Sequence, residues 1–244
     1  MPSLVGSEMC IRDSQKSLQT LLAQEKPGIA LTGYYFGLYE YPVNRNNCRY
    51  EAYYFMPKGN VRKKAGFSNC LFEVMYSEPC PMIKAYCCEA GRYIPVFSQV
   101  ENPNTEQLKK NNELLRMFMD HLSKQPEHKA AMLCQKDIAG KLYETIMSRP
   151  NRWEAKYYGM QLFSDDLSDE HMRCIANRLT QREIKDLRIL SKLCIMLGLS
   201  KKVIHESGWI EGTIVNAGKH ISSNLRSARM AKYVTHLRQS LKAK

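Results

Sequence analysis

Residues 104–122 read NTEQLKKNNELLRMFMDHL, and the rhythm of that stretch decides the fold class. Leu108, Leu114, Leu115, Phe118, Met119 and Leu122 recur at spacings of three and four, the repeat of one helix face, and Asn104-Thr105-Glu106 supplies capping chemistry in front of them. A second helix is expected over 127–147, bounded by Gln125-Pro126 and Arg149-Pro150-Asn151. Upstream the rhythm differs. A short helix over 16–24 ends at Pro27-Gly28. Stretches rich in aromatic and β-branched residues then predict strands over 33–41, 49–56, 71–76, 82–88 and 93–100, with turn chemistry at 44–47, 58–60 and 89–91. Strands first and helices after predict an α+β domain over 15–151, in which an antiparallel sheet carries helices on one side.

The strand region holds aromatics in unusual density, including Tyr34, Tyr35, Phe36, Tyr39, Tyr50, Tyr53, Tyr54 and Phe55. Such side chains can line a small-molecule pocket in a sensory domain, stack on bases, or simply alternate along half-buried strands. Residues 1–14 include PSLVGSEMCIRDS, which resembles a translated sequencing-adapter segment of automatically assembled genes and is set apart from the fold.

Catalytic motifs are missing from the sequence: there is no G-x-S-x-G, no H-E-x-x-H, no P-loop and no glycine-rich dinucleotide fingerprint. Neither an enzyme nor a cofactor is expected. Cys70, Cys80, Cys87 and Cys88 form the one cluster worth a metal test. They lack a C-x2-C pair, and adjacent Cys87 and Cys88 would point to opposite faces of a strand, so no metal site is expected. An odd total of nine cysteines, several flanked by apolar residues, fits a reducing cytoplasm. Asp165, Asp166, Asp169 and Glu170 suit the electropositive start of a helix. No run of 18 apolar residues exists, so no membrane span is expected.

The charge is concentrated at the other end. Residues 179–244 carry 13 Lys and Arg against 4 Asp and Glu, a net +9 of the chain's +12. Leucines and isoleucines at helical spacing run through the same stretch, which predicts a packed basic module over 163–244, all helical, joined through a linker at 152–162. Ser168 would cap a helix bearing Met172, Ile175, Ala176 and Leu179, and Thr180 with Glu183 has capping-box spacing. Double-stranded DNA is the partner such a surface suggests, with a homodimer and a small ligand of the N-terminal domain as further expectations.

LTQREIKDLRILS at 179–191, GLSKKVIHES at 198–207 and EGTIVNAGKHISSNLRS at 211–227 together resemble the LuxR-type helix-turn-helix of bacterial transcriptional regulators. That resemblance covers the last quarter of the chain. It implies a cytoplasmic transcription regulator in which Lys201, Lys202, Lys219, Arg226 and Arg229 meet phosphates while Thr213, Asn216, His220 and Asn224 read base edges. Two departures stand out: 192–197 is an extra segment, and Ala217-Gly218-Lys219 adds three residues inside the recognition helix, turning it by about 300°. A competing frame uses 201–207 as the recognition helix. Residues 168–244 also resemble a death-fold domain, through LSDEH, L-x-x-L-C-x-x-L-G-L-S and ARMAKYVTHLRQSL, although Leu190 stands where that family has Trp. This second resemblance implies an adapter that assembles with other proteins.

Overall fold

The computed structural model describes residues 8–41, 48–133, 135–163, 172–179 and 208–242. An α+β N-terminal region with two small sheets and interspersed helices leads into a largely helical C-terminal region. Helix α1 (Glu8–Glu25) precedes strands β1 (Leu31–Gly37) and β2 (Cys48–Phe55). These two run parallel, Leu31 opposite Cys48 and Tyr35 opposite Ala52, so the expected antiparallel arrangement is corrected for this pair. Helix α1 fixes the parallel register by holding the starts of both strands. The buried Gln15 amide donates to the carbonyls of Leu31 (3.4 Å) and Arg49 (3.1 Å), and Gln19 donates to that of Ile29 at 2.6 Å.

A short helix α2 (Val61–Ala65) follows, then α3 (Asn69–Tyr76), where a strand over 71–76 was expected. Ser68 decides that local choice. Its Oγ accepts from the Leu71 amide and caps the helix, Asn69 Nδ2 donates to Glu73 Oε1 one turn on at 2.7 Å, and Leu71 and Val74 then reach the core together. Strands β3 (Ile83–Glu89) and β4 (Arg92–Phe97) form the antiparallel hairpin the sequence predicts. Ala90 and Gly91 both adopt positive φ, 49° and 77°, as a two-residue turn of matching twist requires.

Helix α4 (Thr105–Ser123) is present as expected, but the packing of its apolar face is not. Leu108 and Asn111 are buried, whereas Leu114, Leu115, Phe118 and Met119 face solvent. The second expected helix is two, α5 (Glu127–Leu133) and α6 (Lys136–Ser148). The stretch expected as a linker holds α7 (Arg152–Gly159), started by a full capping box in which Asn151 Oδ1 accepts from the Glu154 amide and Glu154 Oε2 accepts from the Asn151 amide. It ends in β5 (Leu162–Phe163), which pairs with β6 (Arg173–Cys174).

That pairing corrects the helix expected through Met172 and Leu179, and with it the all-helical reading of 163–244. Ile175 and Ala176 are buried, but in extended chain tied to α7 through Ile175 N to Gln161 O (2.9 Å) and Ala176 N to Gly159 O (3.1 Å). Helices α8 (Ile210–Ala217) and α9 (Ile221–Lys242) complete the described chain.

One buried cluster joins the two regions. Tyr54, Phe55, Phe67, Leu71, Val74 and Met147 pack with Ile175, Ala176 and Trp209, and Phe36, Phe72 and Tyr143 stack around them at ring separations of 4.8 to 5.6 Å. Most of the dense aromatics are therefore core. Trp209 is 0% exposed, and its indole N–H donates to Met147 O at 2.8 Å, satisfying the one polar group this large ring brings inside.

Candidate nucleic-acid interface

Helix α9 is the most basic element of the described chain. Its 22 residues include Arg226, Arg229, Lys232, Arg238 and Lys242 and no carboxylate. Two of these cations turn inward. Lys232 Nζ lies 2.7 and 2.9 Å from the two carboxylate oxygens of Glu211 on α8, which is 1% exposed, and Arg229 pairs with Glu144 on α6. Each ties α9 to the body by a charge-assisted contact whose acidic partner is itself sheltered.

The helix expected to read bases is broken. Gly218, at φ 72°, ends α8 with its amide on Ile214 O and Val215 O, and α9 begins after His220, at φ 47°. The three-residue excess at 217–219 thus becomes a joint between two helices. Thr213 is 1% exposed and its hydroxyl donates back to Trp209 O. Asn224 is buried, with its side-chain amide on Lys219 O at 3.0 Å, and Asn216 spends its amide on Ala155 O at 3.1 Å. These three side chains hold the joint and α7 in place. Lys219, His220 and Arg226 are exposed together around the joint, Arg229 is committed to Glu144, and Lys201 and Lys202 lie outside the described residues. His205 and Ser207 of the competing frame lie outside them too.

At its far end α9 meets a basic stretch that the sequence leaves in the N-terminal region. Ser240 Oγ accepts from the Gly59 amide at 3.2 Å, and His236 lies over Tyr39 with ring centroids 5.1 Å apart. Residues 58–64, KGNVRKK, hold four cations. Lys64 is buried on Pro57 O and Lys63 sits 3.6 Å from Asp137, which leaves Lys58 and Arg62 exposed beside α9. The run of cations is visible in the sequence; its proximity to α9 is not. Burial holds the His236 imidazole below its ordinary pKa; a hydrogen bond from its Nδ1 to Gln239 Oε1 and the Glu40 charge act upward, Lys64 and Lys232 downward.

A cleft of about 240 Å³ lies between α9 and the start of α3, lined by Tyr39, Ser68, Asn69, Lys232 and His236 among others. Lys232 is engaged with Glu211, and Ser68 with Gly208 O and the Leu71 amide. Cys70 is half-buried, Cys80 and Cys88 are exposed, and Cys87 lies on the opposite face of β3 from Cys88. Among the described residues no three His, Cys, Asp or Glu side chains gather as metal ligands, and no helix is long and apolar enough to cross a membrane. No protein-family model matches the chain, and comparison with curated proteins and with solved structures returns no relative.

Proposed function

We propose that this chain binds double-stranded DNA through its phosphates, along α9 and the basic groups at its two ends. The observation that carries this reading is α9 itself, 22 residues with five cations and no carboxylate, whose structural ion pairs draw their acids from other helices. From the joint at His220 to Ser240 the helix rises about 30 Å, close to the length of nine base pairs of duplex. Lys219 and Arg226 at one end and Lys58 and Arg62 at the other then track phosphates along that span. Thr213 and Asn224 are spent inside the protein, so this surface positions DNA without reading it. Regulation of transcription would rest on that binding.

Binding of the full chain to a fluorescent duplex, followed by anisotropy at several salt concentrations, tests this. Four phosphate contacts give a slope of log K against log salt of about −3.6, and Lys219→Ala with Arg226→Ala should flatten it by about two across unrelated sequences. Affinity that ignores salt, or an unchanged slope in the double variant, removes this surface from the interface.

A further inference from the structure

We infer that α7 carries a stacking platform for an unpaired nucleobase, formed by Trp153 on Tyr157, with Arg149, Arg152 and Lys156 holding the phosphates of the same strand. Single-stranded nucleic acid is the ligand. The site shares no residue with α9 and goes beyond the binding of duplex there.

The chain has two tryptophans, and they lie at opposite extremes of burial: Trp209 is 0% exposed and Trp153 is 68% exposed. The outer ring is nonetheless held in place. Trp153 and Tyr157, one helical turn apart, lie with ring centroids 5.0 Å apart and planes within 7° of parallel. Tyr157 in turn meets Tyr158 edge-on, with centroids 5.1 Å apart, and Tyr158 packs against the buried cluster. On the opposite side of α7, Asn216 donates to Ala155 O and Ala176 crowds Gly159, which fixes the rotation of the helix and turns Trp153 and Lys156 outward. The stack is thus anchored inside and open outside. One face of the indole rests on Tyr157, and among the described residues no ring covers the other.

Charge selects what can lie on that face. Residues 149–160 hold three cations and one carboxylate, and the carboxylate, Glu154, is engaged with the Asn151 amide at 2.8 Å. Arg149, Arg152 and Lys156 are exposed, and among the described residues none of them pairs with an acid. Lys156 stands one turn from Arg152 and three residues from Trp153, so cations flank the ring. A cationic ligand would be repelled. An acidic peptide would answer the charges and leave the indole bare, and a membrane surface would require a broader apolar face than one ring with Met160 beside it. An unpaired base on its phosphate chain answers both features at once, because every base has a flat face and carries its anion within reach. Duplex hides its base faces except at the ends, so this platform favours strands.

Fluorescence anisotropy of the full chain with a labelled oligo(dT) of about twelve nucleotides tests this against an abasic oligomer of equal length, which keeps the phosphates and lacks the bases. Oligo(dT) should bind at least about ten-fold more tightly, and Trp153→Ala should abolish that difference. The ring lies outside the core, so the alanine variant should keep its urea midpoint. Trp153→Phe retains a ring to stack on. It should hold the affinity within about three-fold while losing the quenching of tryptophan emission that oligo(dT) causes in the parent chain. Arg152→Ala with Lys156→Ala should flatten the slope of log K against log salt by about 1.4. Lys219→Ala with Arg226→Ala, which tests α9, should leave the quenching in place, so the two sites fail separately. Equal affinity for the two oligomers, an oligo(dT) affinity that ignores Trp153→Ala, or Trp153-dependent attachment to phosphatidylserine vesicles with none to oligo(dT) overturns the proposal.

Discussion

Strands β2 and β4 have similar chemistry and opposite fates. CRYEAYYF buries Tyr50, Tyr54 and Phe55, whereas RYIPVF leaves Tyr93, Ile94, Val96 and Phe97 in solvent. The contrast extends to helices: α3 buries Leu71 and Val74, while α4 past Asn111 exposes Leu114, Met117, Phe118 and Met119. An apolar pattern thus marks a face that can be covered, and the cover must come from another element. In the body it comes from residues more than a hundred positions away, such as Ile175 and Trp209; along 82–123 the described chain supplies little.

Removing the cover should separate the two regions most sharply. Trp209→Ala deletes the largest core ring and leaves the Met147 carbonyl without its donor, so urea unfolding should lose about 3–5 kcal/mol, whereas Tyr93→Ala should stay within about 0.5 kcal/mol. Equal losses would erase the distinction between body and arm. Next comes the clamp on α9: Glu211→Gln leaves Lys232 facing a neutral partner in a sheltered place, with an expected cost of about 3 kcal/mol by the same measurement. A smaller loss, about 1 kcal/mol, is expected for Asn151→Ala, which removes the cap of α7; no loss would mean that residues 152–159 behave as the linker the sequence suggests.

The smallest effect is one of pH. Burial lowers the His236 pKa in the folded chain, so above about 6.5 both folded and unfolded imidazoles are neutral and the full stability stands. As pH falls below that value the unfolded chain takes up its proton first. Stability should therefore decline from pH 7 toward 5.5, and His236→Gln should flatten that decline; an unaltered slope would place the titration elsewhere.

Some of this architecture is written plainly in the sequence. The α+β character of the N-terminal region, the hairpin over 83–97 with its Ala90-Gly91 turn, and the span of α4 follow from local chemistry that tertiary contacts do not overrule. The departures each have a nonlocal cause. Residues 71–76 satisfy both a strand and a helix pattern, and the Ser68 cap settles it. Met172, Ile175 and Ala176 have helical spacing, yet the chain there serves as a backbone bridge to α7 and Trp209. At the candidate interface the cations are legible one by one, and Gly218 hints at the joint. That Asn224 and Thr213 face inward depends on Lys219 O and Trp209 O, which no spacing rule locates.

The bond between Gly59 and Ser240 spans 181 residues of chain, and that distance is also a time. At about 5–20 residues per second, a ribosome that has just made the turn at Gly59 needs roughly 9 to 36 seconds more to reach Ser240. During that interval Tyr39 and α2 have emerged and α9 has not been made. Lys64, which must give up its water to sit on the Pro57 carbonyl, does so under a roof that arrives last. The nascent protein must carry its first strands through synthesis with that side open.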